Sequence, residues 1–255
     1  MPRKARKESR TDIYHVMLRG INQQIIFEDE EDFQMFLSTL KECKRISGFD
    51  LYAYCLMTNH VHLLLKVGKE PLEMIFRRLG SRYVYWYNRK YQRTGHLFQD
   101  RYRSEPIENE AYFLTALRYI IQNPMKAGME ESPGTYPWSN YSDYLKTSAS
   151  LDHITDVDFA MELFQKPADL LHYLREKNND AALDINDKKN GVTDAKAGEI
   201  LRTITGCRSV AEFQTLKRRT QKEYARQLYE CDLSMGQIAR ITGMSKATVC
   251  RAVKA

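Results

Sequence analysis

Two apolar runs, residues 51–57 and 61–67, are joined through Thr58 and Asn59, with His60 opening the second arm. A connection that short leaves no room for a crossover, so the runs can pair only as a tight antiparallel hairpin. The flanking segments must then build onto an antiparallel sheet. Residues 12–19 are rich in β-branched and aromatic types and read as a first strand. Phe33, Phe36, Leu37, Leu40 and Cys43 recur at helical spacing behind the acidic turn Glu28 to Asp32, which predicts a helix over 30–47 ended by Gly48. After the hairpin, Pro71 opens a helix with an apolar stripe of Leu72, Ile75, Phe76, Leu79 and Trp86. Residues 101–107 read as a short strand and 109–123 as a further helix. The order strand, helix, strand, strand, helix, strand predicts an α+β fold, a ferredoxin-like antiparallel sheet with its helices on one face.

Beyond Trp138 the pattern weakens to short helical pieces near 156–178 and a polar run over 177–196 that reads as a linker. A clear cadence returns near the end. Ser234 can cap one helix with Gln237 three residues on, Ala239 lets two helices approach, Gly243 permits a turn, and Ser245 can cap a second helix. This is the spacing of a helix-turn-helix, or of a plain helical hairpin, and the first reading makes Ser245, Lys246, Thr248 and Arg251 candidate DNA contacts. The expected division is a catalytic domain over 1–145, a helical connector and linker over 146–196, and an all-α C-terminal domain with the helix-turn-helix over 197–255.

The net charge of +6 is modest, but its placement is uneven. From Arg77 to Arg103 eight arginines and lysines face Asp100 alone, and Tyr83, Tyr85, Trp86, Tyr87, Tyr91, Phe98 and Tyr102 are interleaved with them. Cations that neutralise phosphates beside rings that stack on bases suit unpaired DNA, which makes Arg82, Arg89, Lys90, Arg93, Phe98, Arg101 and Arg103 candidate contacts. The same rings could instead pack inward from a solvated helix. Between Glu130 and Glu199 fourteen acidic residues outnumber seven basic ones, which argues against DNA contact there. The basic start has no apolar stretch behind it, no segment has the length to span a bilayer, and the five cysteines form no Cys-x-x-Cys pair. A reduced cytoplasmic setting, associated with the nucleoid and with no membrane partner, is the expectation.

Alternation along a strand puts His60 and His62 on one face, with Val61, Leu63 and Leu65 on the other. Two imidazoles placed so are metal-ligand candidates, although a lone His-x-His pair also occurs as two surface histidines. Tyr119 and Asn123 stand four apart on the helix after the last strand, with Phe113, Leu117 and Ile120 on its core face, so a phenol and a carboxamide share a margin beside the buried stripe. Tyr83 and Tyr87, also four apart, offer a rival pair of nucleophiles. His15 and His96 read as hydrogen-bonded structural or phosphate-contacting residues.

Four segments in order, Tyr14-His15-Val16-Met17-Leu18-Arg19-Gly20, Asn59-His60-Val61-His62, Gly95-His96-Leu97-Phe98-Gln99-Asp100-Arg101-Tyr102 and Tyr119-Ile120-Ile121-Gln122-Asn123-Pro124, resemble the REP-associated tyrosine transposases of the single-tyrosine HUH superfamily. The resemblance spans roughly residues 10–145. It implies Tyr119 as nucleophile and His60, His62 and Asn123 as ligands of Mg²⁺ or Mn²⁺, a third position where some relatives carry glutamine. It also implies cleavage and rejoining of single-stranded or hairpin DNA through a 5′-phosphotyrosine link. A regulator that binds DNA without cutting, and a two-tyrosine initiator using Tyr83 and Tyr87, are the competing readings. Monomer and homodimer are both compatible with the sequence.

Overall fold

A computed structural model describes residues 6–145, 154–178, 180, 182–183 and 194–254. The hairpin forms as expected, from β2 (Asp50–Met57) and β3 (His60–Lys66), and β1 (Ile13–Arg19) pairs antiparallel to β3 on its other side. A short β4 (Arg103–Pro106) adds antiparallel to β1, giving the sheet order β2-β3-β1-β4. This is the ferredoxin-like arrangement, with α1 (Glu30–Ser47) and α2 (Leu72–Lys90) as its two crossover helices.

Local chemistry sets the limits of these helices. Asp29 and Asp32 form a reciprocal capping box at the start of α1, and Gly48 closes it in the left-handed conformation at φ 64°. Both helices lie on one face of the sheet, where Phe36, Leu40, Leu79 and Tyr83 pack on Val16, Leu18, Val61 and Leu63. The further helix α3 (Glu110–Ile121) covers the opposite face, packing Phe113, Ala116, Leu117 and Ile120 on Ile13, Ala53, Cys55 and Leu64. The sheet therefore has a core on each side.

Two boundaries differ from the sequence reading. The last strand starts at Arg103, not 101, because Tyr102 turns into the first core against Phe76, with ring centroids 4.7 Å apart. Arg101 accordingly sits on a loop and does not alternate with Arg103 along a strand. The helix expected over 109–123 ends at Ile121; Gln122 breaks it and Asn123 opens α4 (Asn123–Lys126). Pro124 explains the break, since it has no N–H to continue the ladder and sits in the first turn of α4, where proline is tolerated.

After α5 (Tyr141–Leu145), helices α6 (Asp158–Glu162) and α7 (Pro167–Arg175) add Ala160, Leu170 and Leu174 to the α3 core. Much of the run over 177–196 that reads as a linker lies outside the described residues. Its described start is not featureless, since Asn178 and Asp180 both bond to α3 or its cap. A third core gathers α8 (Asp194–Thr205), α9 (Val210–Thr215), α10 (Arg218–Glu230), α11 (Met235–Thr242) and α12 (Lys246–Lys254). Ser234 and Gln237 form the expected capping box, and Gly243 makes the turn between α11 and α12 at φ 68°. This core docks on the turn after β1. Ile25 packs into it, the Val210 N–H donates to Glu28, and the Asn22 carboxamide donates to the Gly243 carbonyl.

Candidate active site

The two-residue turn of the hairpin places His60 at the first position of β3, and Asn59 fixes how its ring stands. The Asn59 carboxamide donates to the Gln23 carbonyl at 3.1 Å, which turns its oxygen toward His60 Nδ1 at 2.6 Å. Nδ1 is then the protonated nitrogen, and Nε2 carries the lone pair. Register puts Arg19 opposite His60, and both Met17 and Cys55 opposite His62, so the two histidines share the α3 face as alternation requires. Their ring centroids are 5.0 Å apart and nearly perpendicular.

His62 and His15 are both fully buried, and His15 Nε2 lies 2.8 Å from His62 Nδ1. Burial pushes the His15 imidazole down to about 3 and holds His62 well below its ordinary value, with His60, His15 and Arg19 adding repulsion at His62. Both are therefore neutral at physiological pH, the state a metal ligand requires. His62 Nε2 is buried with no hydrogen-bond partner among the described residues. An orphaned buried nitrogen costs about 1–3 kcal/mol, and an imidazole lone pair facing a divalent cation removes that cost. Neutral imidazole nitrogens of this kind suit a divalent cation, and no group of three or more His, Cys, Asp or Glu that could hold one occurs among the described residues.

Tyr119 reaches this cluster from α3. Its ring centroid lies 5.9 Å from that of His62 and 6.0 Å from that of His15, and the residue is 3% exposed. The Lys126 ammonium stands 4.2 Å from the centre of the Tyr119 ring, a cation–π contact made from two helical turns further on. Asn123 donates from its side-chain nitrogen to the Tyr119 carbonyl at 3.4 Å, which leaves its carboxamide oxygen as the atom able to meet a cation. The end of α3 is itself clamped. The Arg118 guanidinium holds Asp180 at 2.6 Å and Glu176 at 3.2 Å, while Gln122 donates to the carbonyls of Leu174 and Glu176.

Tyr83 and Tyr87 lie across the sheet, in the core between α1, α2 and the strands. Both are buried; Tyr83 donates its hydroxyl to the Ile26 carbonyl at 2.7 Å, and Tyr87 donates to Glu28. Burial lifts both phenols well above their ordinary range. They are packing residues, and the paired-nucleophile reading has no geometry to support it. Lys90 is also a correction, because its ammonium is held by Asp29, Glu31 and Asp32 at the cap of α1 and is not presented to a phosphate. Arg93 supports its own loop by donating to the His96 carbonyl, and Phe98 packs half-buried beside Tyr83. Arg89, Arg101 and Arg103 are exposed, Arg103 on the histidine face of the sheet opposite Met17, and Arg82 makes a 3.8 Å ion pair with Glu42. In α12, Lys246 and Arg251 are exposed, whereas Ser245 and Thr248 bond to each other at the helix start.

The family of IS200-like transposases matches this chain over residues 10–123. The matched segment is less than half of the chain. That segment holds His15, His60, His62, Tyr119 and Asn123, and stops short of Lys126 and the C-terminal helices. A solved structure described as a REP-associated tyrosine transposase bound to a REP hairpin shares the fold, with a TM-score of 0.51 and 18% identity over 62% of this chain and 93% of that one. No curated protein matches the chain. His15 and Lys126 are the residues that sequence reasoning left without a role at this site. Alternation puts His15 on one face with Met17 and Arg19, but nothing local points to its contact with His62, and Lys126 lies seven residues beyond Tyr119.

Proposed function

We propose that this protein cuts and transfers single-stranded DNA, with Tyr119 as the nucleophile. The observation that carries the reading is the convergence of Tyr119 with His62 and His15, at ring distances of 5.9 and 6.0 Å, beside a buried imidazole nitrogen that lacks a partner. His60 and His62 through their Nε2 atoms, with Asn123 through its side-chain oxygen, would hold Mg²⁺ or Mn²⁺. The cation would supply Lewis-acid polarisation of the scissile phosphate.

The chain's own residues account for the rest. Asn59 and His15 hold the two imidazoles by their Nδ1 atoms, so neither ring can turn its lone pair away. The clamp on the end of α3 keeps Tyr119 rigid. Tyr119 Oη attacks phosphorus and gives its proton to water, the P–O3′ bond breaks, and the departing O3′ takes a proton from water to become a 3′-hydroxyl. The 5′-phosphate stays on Tyr119. Lys126 sets positive charge beside the ring where phenolate character develops. A second DNA 3′-hydroxyl reverses the step and rejoins the strands, which makes the protein a strand transferase and not a hydrolase. We assign α11 and α12 to DNA binding, with Lys246 and Arg251 as the phosphate contacts.

The test is incubation with end-labelled hairpin oligonucleotides carrying single-stranded flanks, in Mn²⁺ and in EDTA. A covalent protein–DNA species formed in Mn²⁺, lost in EDTA and lost in Tyr119→Phe is the expected result. Binding without any covalent species would make the protein a regulator instead.

A further inference from the structure

The face of the sheet under α3 carries a second orphaned nitrogen. His15 is fully buried, its Nε2 meets His62 Nδ1, and its own Nδ1 has no hydrogen-bond partner among the described residues. Register sets Glu105 of β4 directly opposite His15, so the two side chains leave the sheet on the same face. Glu105 Oε2 is itself buried without a partner. Residues opposed in this way hold their Cβ atoms about 4.5–5.5 Å apart, within reach of a glutamate side chain. One orphan can donate and the other accepts, and rotation about the Glu105 side-chain torsions joins them.

Tyr112 holds the other end of that carboxyl. It stands in the first turn of α3 and hydrogen-bonds to Glu105, and because Oε2 has no partner this bond takes Oε1 and leaves Oε2 for a different donor. Two helical turns further on the same helix stands Tyr119. Glu105 is thereby held inward, between the histidines and the helix that carries the phenol, and the strand-transfer reading gives it no task.

The direction of the 2.8 Å bond between His15 and His62 decides whether His62 can hold a cation. A neutral imidazole has one N–H and one lone pair. If His15 donates from Nε2, His62 accepts at Nδ1 and carries its own proton on Nε2, where it turns a cation away. If His15 carries its proton on Nδ1, its Nε2 accepts from His62 Nδ1, and the His62 Nε2 lone pair is bare. An acceptor facing His15 Nδ1 selects the second arrangement, and the buried carboxyl oxygen of Glu105 is such an acceptor.

We propose that Glu105 is a positioning residue for the histidine site: its carboxyl accepts the His15 Nδ1 proton, sets the direction of the His15–His62 bond and keeps the His62 Nε2 lone pair bare for a cation. This rests on the reading that His62 is a metal ligand. The test uses the full chain without DNA. Two-bond proton–nitrogen correlation spectra of the metal-free protein read which nitrogen of each ring carries hydrogen, and calorimetric titration reads Mn²⁺ affinity. The parent is expected to hold both protons on Nδ1. Glu105→Ala is expected to move both to Nε2 and to weaken Mn²⁺ binding about tenfold. Glu105→Gln keeps a carbonyl acceptor, so it is expected to restore the tautomers and most of the affinity, which a folding defect at this position would not allow. Because Glu105 acts through His15, adding Glu105→Ala to His15→Ala is expected to cost no further affinity. Unmoved protons in Glu105→Ala would overturn the proposal, and so would equal losses in the alanine and glutamine variants or additive losses in the double variant. The tautomers are read without metal, so a parent that holds them and binds no Mn²⁺ sinks the metal reading while the Glu105–His15 bond stands.

Discussion

At the residue scale, what distinguishes this site is that neither imidazole proposed to hold the metal stands alone. His60 leans on Asn59 and His62 on His15, and each contact uses Nδ1, leaving Nε2 for a cation. Partners of this kind commonly control metal affinity by about 10–100-fold. His15→Ala is therefore expected to weaken Mn²⁺ binding by about that factor in calorimetric titration without DNA, while thermal unfolding of the metal-free protein stays cooperative. Unchanged Mn²⁺ affinity would reduce His15 to a packing residue. The alternation of β3 made the shared face of His60 and His62 legible in the sequence. The His15–His62 bond was not, because it joins residues 47 apart through a strand register that no local pattern states.

At the scale of elements, the hairpin of β2 and β3 and the order of strands and helices followed from periodicity and turn length alone. The face covered by α3 did not, since an apolar stripe says that a helix packs and not on which side of a sheet. Nor did the tie between Arg118 and the segment after α7, where polar residues that read as linker supply the acidic partners of a nearly buried guanidinium. Breaking such a pair strands its charged partner. Arg118→Ala is expected to lower stability by about 2–3 kcal/mol, discounted for the exposed Glu176, in denaturant titration. It is also expected to slow adduct formation while leaving oligonucleotide affinity within about twofold, since it loosens the helix that carries Tyr119 and not the basic surface. Equal losses in binding and in adduct rate would point to general unfolding instead. The engagement of Lys90 by three carboxylates belongs to the same scale, because charge counts along α2 cannot show which cations the start of α1 has already taken.

Across the whole molecule, the C-terminal core is joined to the sheet through the turn after β1, and Glu28 lies in that contact. Its carboxyl is pushed up to about 8, chiefly by burial, with Asp32 and Asp29 adding repulsion against the Val210 and Tyr87 hydrogen bonds. A carboxyl raised in the folded state keeps its proton while the unfolded chain loses one. The stability it confers is full below the ordinary carboxylate range near 4.5 and drains away as pH rises toward 8. Glu28→Gln is expected to raise the melting temperature at pH 8 and to flatten the fall between pH 5 and pH 8; a parallel fall in the variant would contradict this. On the C-terminal helices, replacing both Lys246 and Arg251 with alanine is expected to reduce the slope of log affinity against log salt by about 1 per charge removed. An unchanged slope would take α12 off the DNA. The described helices include none long and apolar enough to cross a membrane.

One phenol, on α3 beside His15 and His62, is proposed to do the chemistry. Peptide mapping by mass spectrometry of the protein after reaction with a hairpin oligonucleotide and Mn²⁺, followed by nuclease and protease digestion, addresses it directly. A nucleotide remnant joined through phosphate to Tyr119 is the expected product. A remnant on Tyr83, Tyr87 or any other side chain would contradict the assignment.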